Sequence, residues 1–124
     1  MFVRNADRKG TDYIELQICT MPENSVVKQI VDNDNIKHWL NSSIYVCQDD
    51  LSTFLSAYRA FLKGGIHNDL SRGELDIFGI NYFDKVQVAQ IVSDVYKNKP
   101  FEYELFMKFL EEAILSNGFY LFGF

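Results

Sequence analysis

Proline, cysteine and histidine occur only twice each in the 124 residues, and no stretch approaches the ~20 apolar residues that a membrane-spanning helix needs. Two cysteines without CxxC spacing form neither a disulfide framework nor a thiolate zinc site, and they read as buried or half-buried thiols. A Cys19–Cys47 bridge would require their strands to pair. With two Pro, seven Gly and 18 Phe or Tyr residues (11 Phe, 7 Tyr), the chain lacks the composition of a disordered segment. Its first ten residues lack the apolar run of a secretory signal, so the expectation is a whole, unprocessed, cytoplasmic chain.

Basic residues are scarce as well. The chain carries 12 Lys and Arg against 17 Asp and Glu, a formal charge of −5. Arg4, Arg8 and Lys9 place three of the 12 in the first nine positions, which leaves 9 basic against 16 acidic beyond them, a balance of −7. Such a surface repels nucleic acid, whose binding depends on neutralising phosphates with Lys and Arg. It steers a basic protein toward itself.

What is present is a chain of about the right length for one core, with 48% hydrophobic residues in periodic runs. Residues 12–19, DYIELQIC, alternate, with Ile14, Leu16 and Ile18 on one side and Tyr13, Glu15 and Gln17 on the other. This predicts a strand with one covered face, at an edge or on an open sheet. Thr20 and Glu23 have capping-box spacing ahead of a stripe of Val27, Ile30 and Val31, and the 32–35 cluster DNDN should end that helix. SIYVCQ, 43–48, has strand composition, and Asp49 or Asp50 then caps a helix whose stripe includes Leu51, Leu55, Tyr58 and Leu62, ended by Gly64 and Gly65.

Residues 66–73 are polar and turn-rich, as in a mobile loop, and open into a strand over 74–82. In DIFGINYFDKVQ, 76–87, Asp84 and Gln87 have capping-box spacing and Phe83 and Val88 have that of a hydrophobic staple. The strand half carries apolar groups on both faces, which predicts an interior strand with Gly79 at a bulge or a close contact. Two helices follow, divided at Pro100, with Glu102 and Glu104 in the first turn of the second; Gly118 caps it and FYLFGF forms a last strand. The order predicts an α/β (α+β) fold, a single two-layer domain over 1–124 in which a small mixed sheet of about four strands packs against about four helices. Single helices between strands favour some parallel pairing by right-handed crossover.

Catalytic chemistry finds little material here. Neither His38 nor His67 has a second ligand at helical spacing, nothing activates Cys47 as a nucleophile, and Gly64-Gly65 follow a helix where a phosphate loop would precede one. The pairs Asp49-Asp50 and Glu111-Glu112 are neighbours whose side chains diverge. The expectation is a protein that is not an enzyme and uses no cofactor and no metal. A set of acidic residues near loops and element ends, Asp32, Asp34, Asp49, Asp50, Asp69, Glu74 and Asp76, together with Tyr45 and Tyr82 taken as exposed, forms the candidate partner-binding surface. Turns also attract aspartate for local hydrogen-bond reasons, which accounts for each residue singly but less well for the set.

The segment ELDIFGINYF followed by a helix, the ending EEAILSNGFYLFGF, the small size and the acidic balance resemble the small acidic immunity proteins of bacterial contact-dependent growth inhibition and related polymorphic toxin systems. The resemblance spans residues 74–124. It implies a cytoplasmic bacterial protein that binds one cognate basic toxin domain, often a nuclease, and covers its active site, with no nucleic-acid or membrane partner. It assigns no contact residues, since interfaces differ between toxin pairs. A small adaptor or structural subunit associating through the C-terminal aromatics is the alternative.

Overall fold

A computed structural model describes the whole chain, residues 1–124. Seven strands, β1 (Phe2–Arg4), β2 (Tyr13–Ile18), β3 (Ile44–Cys47), β4 (Gly65–Ile66), β5 (Arg72–Gly73), β6 (Ile80–Phe83) and β7 (Phe119–Phe122), form one sheet in the order β1-β3-β2-β7-β6-β4-β5. Four helices accompany them: α1 (Val27–Ile30), α2 (Leu51–Tyr58), α3 (Lys85–Asn98) and α4 (Tyr103–Leu115). The domain is mixed α and β, as expected, but every strand pair is antiparallel and the sheet is larger than the expected four strands. The reason is visible between β6 and β7. Two successive helices, α3 and α4, return the chain to the end of the sheet it left, so β7 enters antiparallel beside β6.

One sheet face carries the helices. Ile14, Leu16, Ile44, Val46, Phe83, Phe119 and Leu121 meet Phe54 and Tyr58 of α2, Val88, Ile91 and Val95 of α3, and Phe106, Phe109, Leu110 and Ala113 of α4 in one apolar cluster. The start of α3 follows the expected chemistry. Gln87 N–H donates to Asp84 Oδ1 at 2.9 Å, and Asp84 N–H donates to Gln87 Oε1 at 3.0 Å. Phe83 and Val88 on either side are fully buried, as a staple requires.

The opposite face is the surprise, because it is also covered. The connection from β2 to β3 lies across it, and Cys19, Ile30 and Val31 pack on Ile66, Ile80, Tyr82, Tyr120 and Phe122. Consequently β2 is neither an edge nor half-open. It lies between β3 and β7, and Tyr13, Glu15 and Gln17 are buried along with Ile14 and Leu16. The helix expected after Thr20 shrinks to the single turn of α1, preceded by Val26 without a side-chain cap. Glu23 is drawn instead to the Lys85 ammonium.

Other boundaries shift for local reasons. β1 was not anticipated, and it is held by Phe2, which stacks on Phe106 with ring centres 5.5 Å apart. α2 ends at Tyr58 and continues as a 3-10 turn, Arg59–Phe61, well before Gly64; Gly65 lies in β4. Asp50 precedes α2 but makes no side-chain cap, since Gln48–Asp50 is itself a 3-10 turn. Residues 66–73 form the edge hairpin β4–β5 rather than an unstructured loop. Of the expected 74–82 strand only residues 80–82 pair, in a strand that runs on to Phe83 and has neighbours on both sides, β7 and β4. α4 starts after Glu102, which sits in the left-handed region at φ 54° ahead of the first turn.

Candidate functional site

The alternation of β2 sends Glu15 to the second sheet face, and the register sets it between Tyr45 on β3 and Phe122 on β7. Glu15 is 2% exposed. A buried carboxylate is costly unless it is hydrogen-bonded, and the segment after Ile36 folds around it to supply donors. Trp39 N–H donates to Oε1 at 2.8 Å; Oε2 accepts from Ser43 Oγ at 2.7 Å, Gln17 Nε2 at 3.0 Å and Leu40 N–H at 3.3 Å. The Tyr45 hydroxyl lies 3.4 Å from Oε2 but 2.6 Å from the Leu40 carbonyl. Its single proton goes to the shorter contact. Burial, and then the Glu15 charge, push the Tyr45 phenol up to about 12.

Trp39 occupies the left-handed region at φ 65°, where a bulky aromatic is strained unless its surroundings fix it. The N-terminal basic residues do that fixing. Arg8 lays its guanidinium 3.9 Å from the Trp39 ring centre, 5.5 Å from Tyr45 and 6.0 Å from Tyr13. Asn5 Nδ2 donates to the Trp39 carbonyl at 3.0 Å, and Arg4 donates to the Ser42 carbonyl at 3.2 Å. Basic side chains near the start of the sequence thus fasten one loop over one buried acid.

Beside this loop two cavities adjoin, sharing His38, Phe122 and Gly123 in their walls. The first, about 210 Å³, is bounded by Thr11, Tyr13, Glu15, Trp39 and Phe124. The second, about 230 Å³, is bounded by Asn33, Asn68, Phe78, Gly79 and Ile80. His38 stands between them, its ring 4.9 Å from Phe122 and its Nδ1 3.7 Å from Glu15 Oε1, too long for a hydrogen bond. Phe78 at the rim is 74% exposed.

None of the nine expected partner-binding residues lines either cavity, but four of them lie in the turns that supply lining residues. Asp32 and Asp34 flank Asn33, Asp69 follows Asn68, and Asp76 leads the turn that carries Phe78 and Gly79; all four are exposed. Each is also a turn-maker: Asp32 accepts from Asp34 N–H at 3.0 Å and Asp76 from Phe78 N–H at 2.9 Å. Asp69 accepts from the Ser71 hydroxyl at 2.5 Å and the Ser71 N–H at 2.9 Å, and these bonds hold its carboxyl below the usual range. An added Cβ at Gly79 would sit 2.6 Å from Asp76 Oδ2, so the exposed Asp76 side chain would have to shift to admit one.

The other five lie elsewhere. Asp49 and Asp50 lie in the 3-10 turn before α2, and Glu74 borders a shallow depression beside Leu55, Arg59 and Lys63 of the helical layer. Tyr45 and Tyr82, expected to be exposed, are 0% and 2% exposed, because the second sheet face is covered. Tyr82 donates its hydroxyl proton to the Asn117 carbonyl at 2.7 Å. Sequence reasoning missed Glu15, Trp39, Phe78 and Phe124. The available signal was the length of the β2–β3 connection, too long for a hairpin turn and apolar enough to need a surface to cover.

Of the groups considered for catalysis, His38 lines the two cavities described above. His67 Nδ1 lies 3.0 Å from the Ile80 carbonyl, and no three His, Cys, Asp or Glu side chains converge as a metal site. Both thiols are free. Cys19 directly follows β2, which pairs with the strand of Cys47, but Cys47 stands opposite Tyr13, six residues before Cys19. No helix is long and apolar enough to cross a membrane. Compared with known proteins, the chain matches no family model, no curated protein and no solved structure.

Proposed function

We propose that this chain is an immunity-type inhibitor that binds a basic toxin domain, a nuclease by preference, and covers its active site. The observation that supports this reading is the groove on the second sheet face. An exposed aromatic, Phe78, stands there, and the exposed Asp32, Asp34, Asp69 and Asp76 lie in the turns that supply its lining residues, on a chain with net charge −5. Carboxylates around an aromatic anchor suit a surface built to bind phosphate, with charge speeding encounter and the aromatic slowing release. The acidic residues away from the groove, Asp49, Asp50 and Glu74, contribute to steering by long-range field alone.

The test is co-purification with the polypeptide encoded immediately upstream, followed by assay of its toxicity. A stoichiometric complex that forms faster at low salt and abolishes toxicity is the expected result. Absence of any complex at micromolar concentration, or survival of cells exposed to that toxin without this protein, would overturn the reading.

A further inference from the structure

The smaller cavity joins a buried anion to aromatic walls. Glu15 is 2% exposed, yet no Lys or Arg lies within ion-pair distance of it. Its two oxygens are used unequally: Oε2 accepts three hydrogen bonds, whereas Oε1 accepts one, from Trp39 N–H. A carboxylate has about four lone-pair sites, so the under-used oxygen is the one beside His38 and Trp39, which themselves wall the cavity. A buried negative charge with an open acceptor position calls for a cation.

The walls decide which cation. Tyr13, Trp39, Phe122 and Phe124 line the cavity, and flat aromatic faces favour a planar, weakly hydrated guanidinium over a compact ammonium. The molecule already carries such a contact, since Arg8 lies 3.9 Å from the Trp39 ring centre. At about 210 Å³ the cavity is below the ~300–1,000 Å³ that holds small-molecule ligands, which suits a single side chain. We infer that the cavity floored by Glu15 and walled by Tyr13, Trp39 and Phe124 receives an arginine side chain of the protein partner. This assignment rests on the inhibitor reading for the identity of the partner, but not for the chemistry of the pocket.

Trp39 is the only tryptophan, so its fluorescence reports occupancy directly. Titrating the full chain with N-acetyl-arginine amide should give a saturable change with a dissociation constant on the order of a few millimolar. The citrulline analogue, equal in shape and uncharged, should give none, and the lysine analogue should bind more weakly. Phe124→Ala, at a residue 39% exposed, should weaken arginine-amide binding about fivefold without altering the circular dichroism spectrum. Equal binding of citrulline, no saturable signal, or an unchanged affinity in Phe124→Ala would overturn the assignment. A toxin complex that forms normally with Phe124→Ala and resists competition by arginine amide would remove the pocket and spare the inhibitor reading. Arginine-amide binding without any complex would keep the pocket and remove that reading.

Discussion

Asn81 and Asp76 hold each other through two reciprocal hydrogen bonds: Asp76 N–H donates to Asn81 Oδ1 at 2.8 Å, and Asn81 Nδ2 donates back to the Asp76 carbonyl at 2.7 Å. The side-chain amide imitates a strand's backbone at the point where the chain has left the sheet. A third bond, from Asn81 Nδ2 to the Leu121 carbonyl at 3.1 Å, ties the turn to β7. Asn81 is fully buried on the helix-covered face, so these groups have no access to water if it is lost. Asn81→Ala should therefore cost about 3 kcal/mol, the sum of lost bonds and stranded partners, read as a lower urea midpoint. Phe78→Ala in the same turn, at 74% exposure, should change stability by less than about 0.5 kcal/mol and weaken partner binding instead.

Glu15→Gln is the corresponding test on the opposite face. The amide keeps one acceptor but turns an –NH₂ toward donors, whether Trp39 N–H on one side or Ser43 and Leu40 on the other. A loss of about 3 kcal/mol is expected, with a changed Trp39 emission in the folded state because the loop that carries it loosens. A stability within about 0.5 kcal/mol of the parent protein would show that the donors hold the loop without the charge.

These two residues also mark where the sequence could be read and where it could not. The α3 start was legible because capping box and staple are local patterns with fixed spacing, and Asp84, Gln87, Phe83 and Val88 obey them in the structure. The sequence also pointed to a final strand over 119–124, of which Phe119–Phe122 pairs, and to an interior position for β6. What misled was inferring exposure from polarity. Glu15, Gln17, Tyr45 and Tyr82 look like a solvent face along their strands, and they are buried because a distant segment, 19–42, lies across them. Strand direction was illegible for a related reason: the two successive helices could be read, but the packing by which they return β7 antiparallel beside β6 could not. The groove inherits this limit. The acidic residues of its turns could be seen one by one, while Trp39, Phe78 and Phe124 belong together only after folding.

Gly118 offers a steric test of how β7 is admitted to the sheet. It has φ +81°, and an added Cβ would lie 2.0 Å from the Phe83 carbonyl oxygen, a backbone atom fixed by β6. Both the conformation and the collision oppose a side chain, so Gly118→Ala should destabilise by at least about 3 kcal/mol or prevent folding. Gly73→Ala is the control. Its added Cβ meets nothing within 4 Å and its φ is ordinary, so thermal midpoints should separate the two variants widely.

Alkaline pH should unfold the chain through its buried tyrosines. Burial is the leading cause in each case: Tyr45 is pushed up to about 12, and Tyr58, Tyr82 and Tyr120 are raised further. Their hydroxyls donate to the carbonyls of Leu40, Phe101, Asn117 and Ile30, and ionisation would strip each of the donated proton. A phenol with a raised folded-state value favours folding in full below its unfolded value near 10, and that contribution falls as pH rises through the folded value. Stability should thus begin to fall near pH 10 and drop steeply through pH 12, followed by urea midpoints at each pH. Tyrosinate absorbance from these four should rise together with unfolding rather than ahead of it. Tyr45→Phe should flatten the early part of the fall, at the cost of about 1 kcal/mol at neutral pH for the lost Leu40 bond. A midpoint unchanged between pH 10 and pH 12 would show that these hydroxyls ionise as readily in the folded chain as in the unfolded one.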